Sequence, residues 1–594
     1  MRTFRRLLLL SVCSVFCLSL HAQRPGGGSR PPTNPRPIEP GGNPNSVPSP
    51  VGRGPSAEDE AKVEFRSETV MVQVPVVVLD KTGHHVHDLT KTDFRVFENG
   101  KEQAIATLEQ FTATNARLAV PSQPGVFTNQ MGNRDQHQAI TIIALDTVNT
   151  PFLDQTYARQ ELIKYLAKNV DTGQTLGLVA ISSKGLRVLY GLTSSADSLQ
   201  QILKKVSGEL DALQSVDEDV QLAAFAGDTS NLFTGYTQAN AEIAIDQFVR
   251  QGDIDYAQFQ QEAAIETTMQ AFLGIAWSLS GVPGRKTLLW ATGGFPFALD
   301  SPSAIPGGRL SILYERALQA LNDAQVSIYP VDVQGLVYGG PGVNNGRTQK
   351  PTTTFQPVNP RSWLINAKQD TLKEFAEMTG GRAFYNTNDL AGAFQRATDD
   401  ASSYYVLGYY LNTKNDRPGW RELKVKTDRK DLEIRARKGF LVTNTTMNPE
   451  ASRGNDMTFA LAAPFEATGV PMEMKWGAVK AIPGEQGKKQ VTFLVHIIGT
   501  DITIEGANNA MDLAVAAVAT APSEKKDAPA VVAANFAQSI KGSLKPDSLT
   551  TMRAHGIVYP GALELAPGKY SVRVVVRDNL SGRIGSISAP VTVN

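Results

Sequence analysis

The segment Leu145-Asp146-Thr147-Val148-Asn149-Thr150 follows an apolar run, Ala139–Leu145 (AITIIAL), that reads as a buried strand. In an open α/β sheet, ligands gather beyond the carboxyl ends of the strands. An aspartate at that place, followed by hydroxyl and amide side chains, offers hard oxygen donors to Mg²⁺ or Mn²⁺. Asp146 and Asn149 also suit a conformational role, capping the next turn and helix by accepting from unpaired backbone N–H groups.

Other chemistry-bearing residues are fewer. In His84-His85-x-His87 only His85 and His87 share a strand face, and with no cysteine near them a solvated hairpin is favoured over zinc. Gly281-Val282-Pro283-Gly284-Arg285-Lys286-Thr287 lacks the spacing of a phosphate loop and precedes a strand, so it reads as a helix-terminating turn. Neither G-x-S-x-G nor H-E-x-x-H occurs, which removes the common serine-hydrolase and zincin signals. No catalytic residue is assigned and a non-enzyme is expected; a hydrolase using a pair of carboxylates is the alternative. Tyr404, Tyr405, Tyr409 and Tyr410 are expected to stabilise a sheet and not to stack sugars. Lys424, Lys426, Arg435 and Arg437 alternate with Leu423, Val425, Leu432 and Ile434, giving a hairpin over 421–437 one basic face.

The elements that position these residues fall into distinct stretches. Arg2, Arg5 and Arg6 precede the apolar run Leu7–Leu20, and Ala22 offers a cleavage point, so residues 1–22 read as a signal peptide and the protein as exported, to the periplasm, outer surface or exterior. The run is too short to span a bilayer and no later one is longer, so no transmembrane segment is expected in the mature chain. Both cysteines lie in that leader, which leaves neither disulfides nor thiolate chemistry to the rest. Residues 23–62 form a linker: 10 prolines and 7 glycines between Arg24 and Ser56 leave nothing to bury. The 594-residue chain carries 58 basic and 58 acidic residues, so it lacks the basic field of a nucleic-acid binder.

From residue 63 to 111, β-branched runs and the turn Glu98-Asn99-Gly100-Lys101 predict a small β module, and 112–138 reads as a loop. Over 138–402, strands alternate with amphipathic helices. That pattern predicts an α/β fold with a doubly wound, mostly parallel sheet. Residues 403–442 return to strands, and 455–594 read as a C-terminal antiparallel β-sandwich.

The order Ala139–Thr150, Leu176–Tyr190, Pro283–Pro296 (PGRKTLLWATGGFP) and Val326–Leu336 (VSIYPVDVQGL) resembles a von Willebrand factor A (VWFA) domain. The flanks Leu89–Gln103 (LTKTDFRVFENGKEQ) and Tyr404–Leu441, ending RARKGF, narrow this to a likeness with the acidobacterial VWFA-related family over roughly residues 68–442. The resemblance implies a metal-ion-dependent adhesion site of the form D-x-S-x-S with a distant Thr and Asp. Asp146 matches the first ligand, Val148 replaces the first Ser, and Thr150, with Asn149 beside it, stands for the second. Where many such domains read T-D-G after a strand, this chain has Thr292-Gly293-Gly294; the carboxylate is missing and the site is degenerate. Thr229, Thr234 and Thr237 are candidates for the distant Thr. With one assured carboxylate a cation is weakly held, so capping is the weightier role for Asp146.

The resulting expectation is a binding or adhesion module that recognises a protein or glycan of the cell envelope or exterior at the carboxyl edge of its central sheet. Asp146, Asn149, Thr150, Thr292, Gly293, Gly294 and Phe295 would touch the ligand, with a degenerate Mg²⁺ or Mn²⁺ site or none. A metal-free scaffold whose ligand uses another face is the nearest alternative. The β segments on either side of 138–402 are expected to pack together.

Overall fold

The structure is a computed structural model that describes residues 71–112, 125–131, 139–168, 175–193, 195–206, 241–295, 309–336, 360–411, 419–442, 450–482, 487–522 and 530–594. Residues 1–22 and 23–62, which the sequence reads as a signal peptide and a linker, and Thr229, Thr234 and Thr237, lie outside them. The described part belongs to one compact unit, Glu68–Asn594.

The expectation of a doubly wound, mostly parallel α/β fold is corrected. Among the described residues there are five sheets and eight helices, and four of the sheets are wholly antiparallel. Parallel pairing is confined to β6 (Ile140–Asp146), β7 (Thr175–Ser182), β9 (Lys286–Thr292) and β10 (Val326–Asp332), in the order β10-β9-β6-β7, with β8 (Gly185–Thr193) antiparallel on the edge. The physical reason is connectivity. A parallel pair needs a crossover, and strand–helix alternation is limited to the middle of the chain; elsewhere hairpins and long-range returns join strands antiparallel.

Within that mixed sheet the β6 strand is buried along its whole length, and its side chains divide by parity. Ile140, Ile142 and Ala144 face a core with Phe272, Leu318 and Phe375, from α3 (Ala241–Leu279), α4 (Arg309–Asp323) and α5 (Pro360–Thr379). Ile143 and Leu145 face Leu162, Leu199 and Phe394, from α1 (Phe152–Lys168), α2 (Ala196–Lys205) and α6 (Leu390–Asp399). Ser195 and Asp389 start α2 and α6 as N-caps, accepting from Ser198 N–H and Gly392 N–H.

The segments before and after this sheet share two others. β1 (Met71–Asp80) runs between β11 (Ser403–Tyr410) and β13 (Leu432–Ala436), with β4 (Ile105–Thr112) outside β11. β2 (Phe94–Glu98) lies between β3 (Lys101–Gln103) and β12 (Gly419–Thr427), which pairs on its far side with β14 (Gly439–Val442). One apolar core holds them face to face through Val74, Val76, Phe94, Val96, Tyr405 and Leu423. The single basic face expected over 421–437 is not formed. β12 and β13 sit in different sheets, Arg435 pairs with Asp400 and Glu433, and Arg437 donates to Gln73 O at 3.0 Å.

The C-terminal strands make two further antiparallel sheets around one core containing Met474, Phe493, Leu513, Val515, Val574 and Ile587. One is β15 (Met472–Ala481), β16 (Lys489–Ile497) and β19 (Ile557–Leu565), extended by β5 (Val126–Thr128) from the segment read as a loop. The other is β17 (Ala510–Ala521), β18 (Val531–Ser543), β20 (Gly568–Asp578) and β21 (Ile584–Val593). The helices α7 (Glu450–Ala462) and α8 (Pro546–His555) complete this part.

Candidate functional site

β6 ends at Asp146 and β9 at Thr292, two neighbouring parallel strands whose carboxyl ends therefore meet. The Asp146 carboxylate is 2% exposed and accepts five hydrogen bonds. Oδ1 takes the backbone N–H of Val148 (3.1 Å) and of Asn149 (3.0 Å). Oδ2 takes Asn149 Nδ2 (2.8 Å), Trp290 Nε1 (3.0 Å) and Thr292 Oγ1 (2.8 Å). Burial pushes the carboxyl above its usual range, and these donors pull it back. Asn149 Nδ2 also donates to Thr268 Oγ1 at 2.9 Å. Thr150 Oγ1 accepts from Gly293 N–H at 2.9 Å, and Thr292 Oγ1 from Gly294 N–H at 3.0 Å.

The cluster is a knot that ties the turn after β6 to the end of β9. All seven residues expected to meet a ligand (Asp146, Asn149, Thr150, Thr292, Gly293, Gly294 and Phe295) come together, and all seven are buried. Gly293 makes the approach possible: a Cβ there would stand 2.7 Å from Asn149 O. The void lined by Asp146, Thr150 and Gln155 has about 20 Å³, room for one water and not for a hydrated divalent ion. Both carboxylate oxygens are occupied by donors, so the arrangement fits a hydrogen-bonded pin and does not fit Mg²⁺ or Mn²⁺. Among the described residues no group of three His, Cys, Asp or Glu side chains is placed to hold a metal.

Sequence reasoning passed over three residues at this edge. Thr268, on α3, is the threonine that reaches the cluster. Asp332 ends β10 and is 4% exposed; it accepts Gln334 N–H at 3.0 Å, and burial pushes its carboxyl up to about 6. Asp154, in the first turn of α1, is also raised by burial, it raises Asp332 in turn, and Lys368 lowers both. The strand-end rule that singled out Asp146 applies equally to Asp332 in VSIYPVD, so that signal was available. Thr268 sits in a helix with nothing local to mark it.

The remaining side chains named from sequence are engaged in structure. Tyr404, Tyr405 and Tyr409 are buried, and only Tyr410 is exposed. Tyr404 OH accepts Arg285 N–H, Tyr405 OH donates to Val86 O, and Tyr409 OH donates to Glu98 Oε2. His85 and His87 do share a face, their rings 6.3 Å apart, but His85 Nε2 bonds Asp399 O at 2.9 Å and His87 Nδ1 bonds Gln110 Nε2 at 3.0 Å. At the Gly281–Thr287 turn, Lys286 Nζ points back to Val282 O at 2.7 Å, buried from any phosphate.

No protein-family model matches the chain, and no curated protein does. Among solved structures 42 chains match. One is the crystal structure of the TFIIH p34 N-terminal domain, 14% identical, covering 45% of this chain and 99% of that chain at a TM-score of 0.18. A likeness at that score carries no argument about fold or function. No helix among the described residues is long and apolar enough to cross a membrane.

Proposed function

We propose that this chain is an exported, metal-independent and non-catalytic recognition scaffold, whose partner is a protein or glycan of the cell envelope or its exterior. The observation that carries the reading is the Asp146 carboxylate, closed off by five donors at the one place where the sequence offered a cation site. An adhesion site needs an open position on its carboxylate, and here backbone, amide, indole and hydroxyl groups fill those of Asp146, while Asn149 Oδ1 stays buried without a partner. The partner therefore uses side chains other than the seven buried at that edge. Export rests on the basic N-terminus and the apolar run Leu7–Leu20.

The test is thermal unfolding of the full chain in EDTA and in millimolar Mg²⁺ or Mn²⁺, because a cation bound only by the native state raises the midpoint by mass action. The expected midpoints coincide within about 1 °C. Asp146→Ala leaves five donors unpaired and is expected to lose about 3 kcal/mol, equally with and without metal. A metal-dependent rise that disappears in Asp146→Ala would overturn the reading.

A further inference from the structure

A cleft of about 710 Å³ opens between α6 and the β13-β1-β11-β4 sheet, and shares no lining residue with the Asp146 cluster. Its walls are the turn after β1, the C-terminal end of α6, the start of β13, and the segment around Phe384, which bridges to Val331 of β10. The acids in it have donors. Asp80 accepts from Thr82 and from His84 N–H, and Asp431 pairs with Lys81 at 2.6 Å. Asp400 and Glu433 share Arg435, and Asp399 accepts from Gln395.

Two cations are held less firmly. Arg382 is exposed and forms no hydrogen bond or ion pair among the described residues, although its charge helps to lower the Glu433 carboxyl. Arg396 has one loose pair, 3.4 Å from Asp389, with both side chains about half exposed (49% and 63%), so solvent screens it. Both guanidinium groups lie over the Phe384 ring, 5.3 Å and 5.4 Å from its centroid, so a single aromatic ring anchors both to the cleft wall.

We propose that this cleft binds a uronic-acid unit of an acidic polysaccharide, with Arg382 and Arg396 taking the carboxylate. Guanidinium groups match a carboxylate in bidentate fashion, and the volume suits a ligand of one or two sugar rings. The five carboxylates repel a dianionic phosphate more strongly than a singly charged carboxylate, and the lone pairs their present donors leave over offer acceptors to hydroxyl groups. A singly charged, polyhydroxylated ring answers both features. The inference deepens the scaffold reading by naming a ligand class, and rests on it only in taking the site as one for binding and not for turnover.

The experiment is calorimetric titration of the full chain with a galacturonate trimer, the matching neutral galactose trimer, and inorganic phosphate, with EDTA present so that no cation bridges. The galacturonate trimer is expected to bind in the micromolar to millimolar range and the other two to give no saturable heat. Arg382→Gln with Arg396→Gln should weaken binding at least about tenfold, while Lys424→Gln, exposed on β12 outside the cleft, leaves it unchanged. Both arginines are on the surface, and circular dichroism melting checks that the double variant keeps its fold. Absence of galacturonate binding, equal binding of the neutral trimer or of phosphate, or an unaffected double variant would each overturn the proposal. Because the melting experiment above involves no sugar, this proposal fails separately from the metal-free reading.

Discussion

Lys286 begins β9 with 1% of its surface exposed, and among the described residues its Nζ makes a single hydrogen bond, to Val282 O. Burial without a counter-charge lowers its amine to about 7 from 10.5. Between those values the unfolded chain holds a proton that the folded chain does not, so the contribution to stability rises with pH from about 7 towards 10.5, and the penalty is fully present below 7. Lys286→Met is expected to stabilise the protein at pH 6, on the order of 1–3 kcal/mol, and to gain progressively less by pH 9. Chemical denaturation of both forms across that range checks the sign; a constant difference between them would show that charge burial is not the cause. At the same scale, the spacing Asp146–Thr150 marked a place of dense polar contacts, but residue types alone could not show whether the five donors face the carboxylate or leave it open.

At the scale of elements, the three-residue β5 is the least expected strand. It pairs with β15 through Thr128↔Glu473, Phe127↔Met474 and Val126↔Lys475, and the next residue, Asn129, fixes its position. Asn129 is 2% exposed; Nδ2 donates to Ala467 O (2.7 Å) and Val470 O (2.9 Å), and Oδ1 accepts Met472 N–H at 2.9 Å. Asn129→Ala takes the side-chain partner from Val470 O and Met472 N–H, while Ala467 O keeps Ser586 N–H, so a loss of about 2–3 kcal/mol is expected, with faster hydrogen exchange at Met472. An exchange rate unchanged at Met472 would rule this role out. Local pattern placed the central buried strand within a residue: the run Ala139–Leu145 is β6, Ile140–Asp146. β5 was missed because three residues have no period, and its pairing partner lies far along the chain.

Across the whole molecule, the C-terminal sheets are joined to the helices of the mixed sheet by a buried ionic cluster. Asp456 of α7 takes Arg577 of β20 at 3.0 Å and 3.2 Å and pairs with Arg316 of α4, while Arg577 also donates to Asn579. Trp277 stacks edge-on against Phe459, and Gly281 meets the 467–470 segment so closely that a Cβ would stand 2.1 Å from Thr468 O. Asp456→Ala removes the shared carboxylate from the buried Arg577 guanidinium, which keeps Asn579 but loses its counter-charge. A loss of about 3–5 kcal/mol is expected, with the C-terminal sheets and the mixed sheet melting together in the native protein and at separate temperatures in the variant. Two transitions already present in the native protein would refute the bracing role.

The sequence by itself determined much of the local layer: the alternation of longer strands and helices over the middle of the chain, the return to strands after it, and that Asp146 ends a buried strand. Those features follow from the period of apolar residues and from short-range hydrogen bonding, both written in neighbouring positions. Tertiary structure alone decided the balance of sheets, because pairing such as Met71↔Tyr410 depends on which distant strand completes a ladder. It also decided the chemistry of the strand end. Trp290, Thr292 and Thr268 converge on Asp146 and Asn149 from far along the chain and close the position that the residue types had left open.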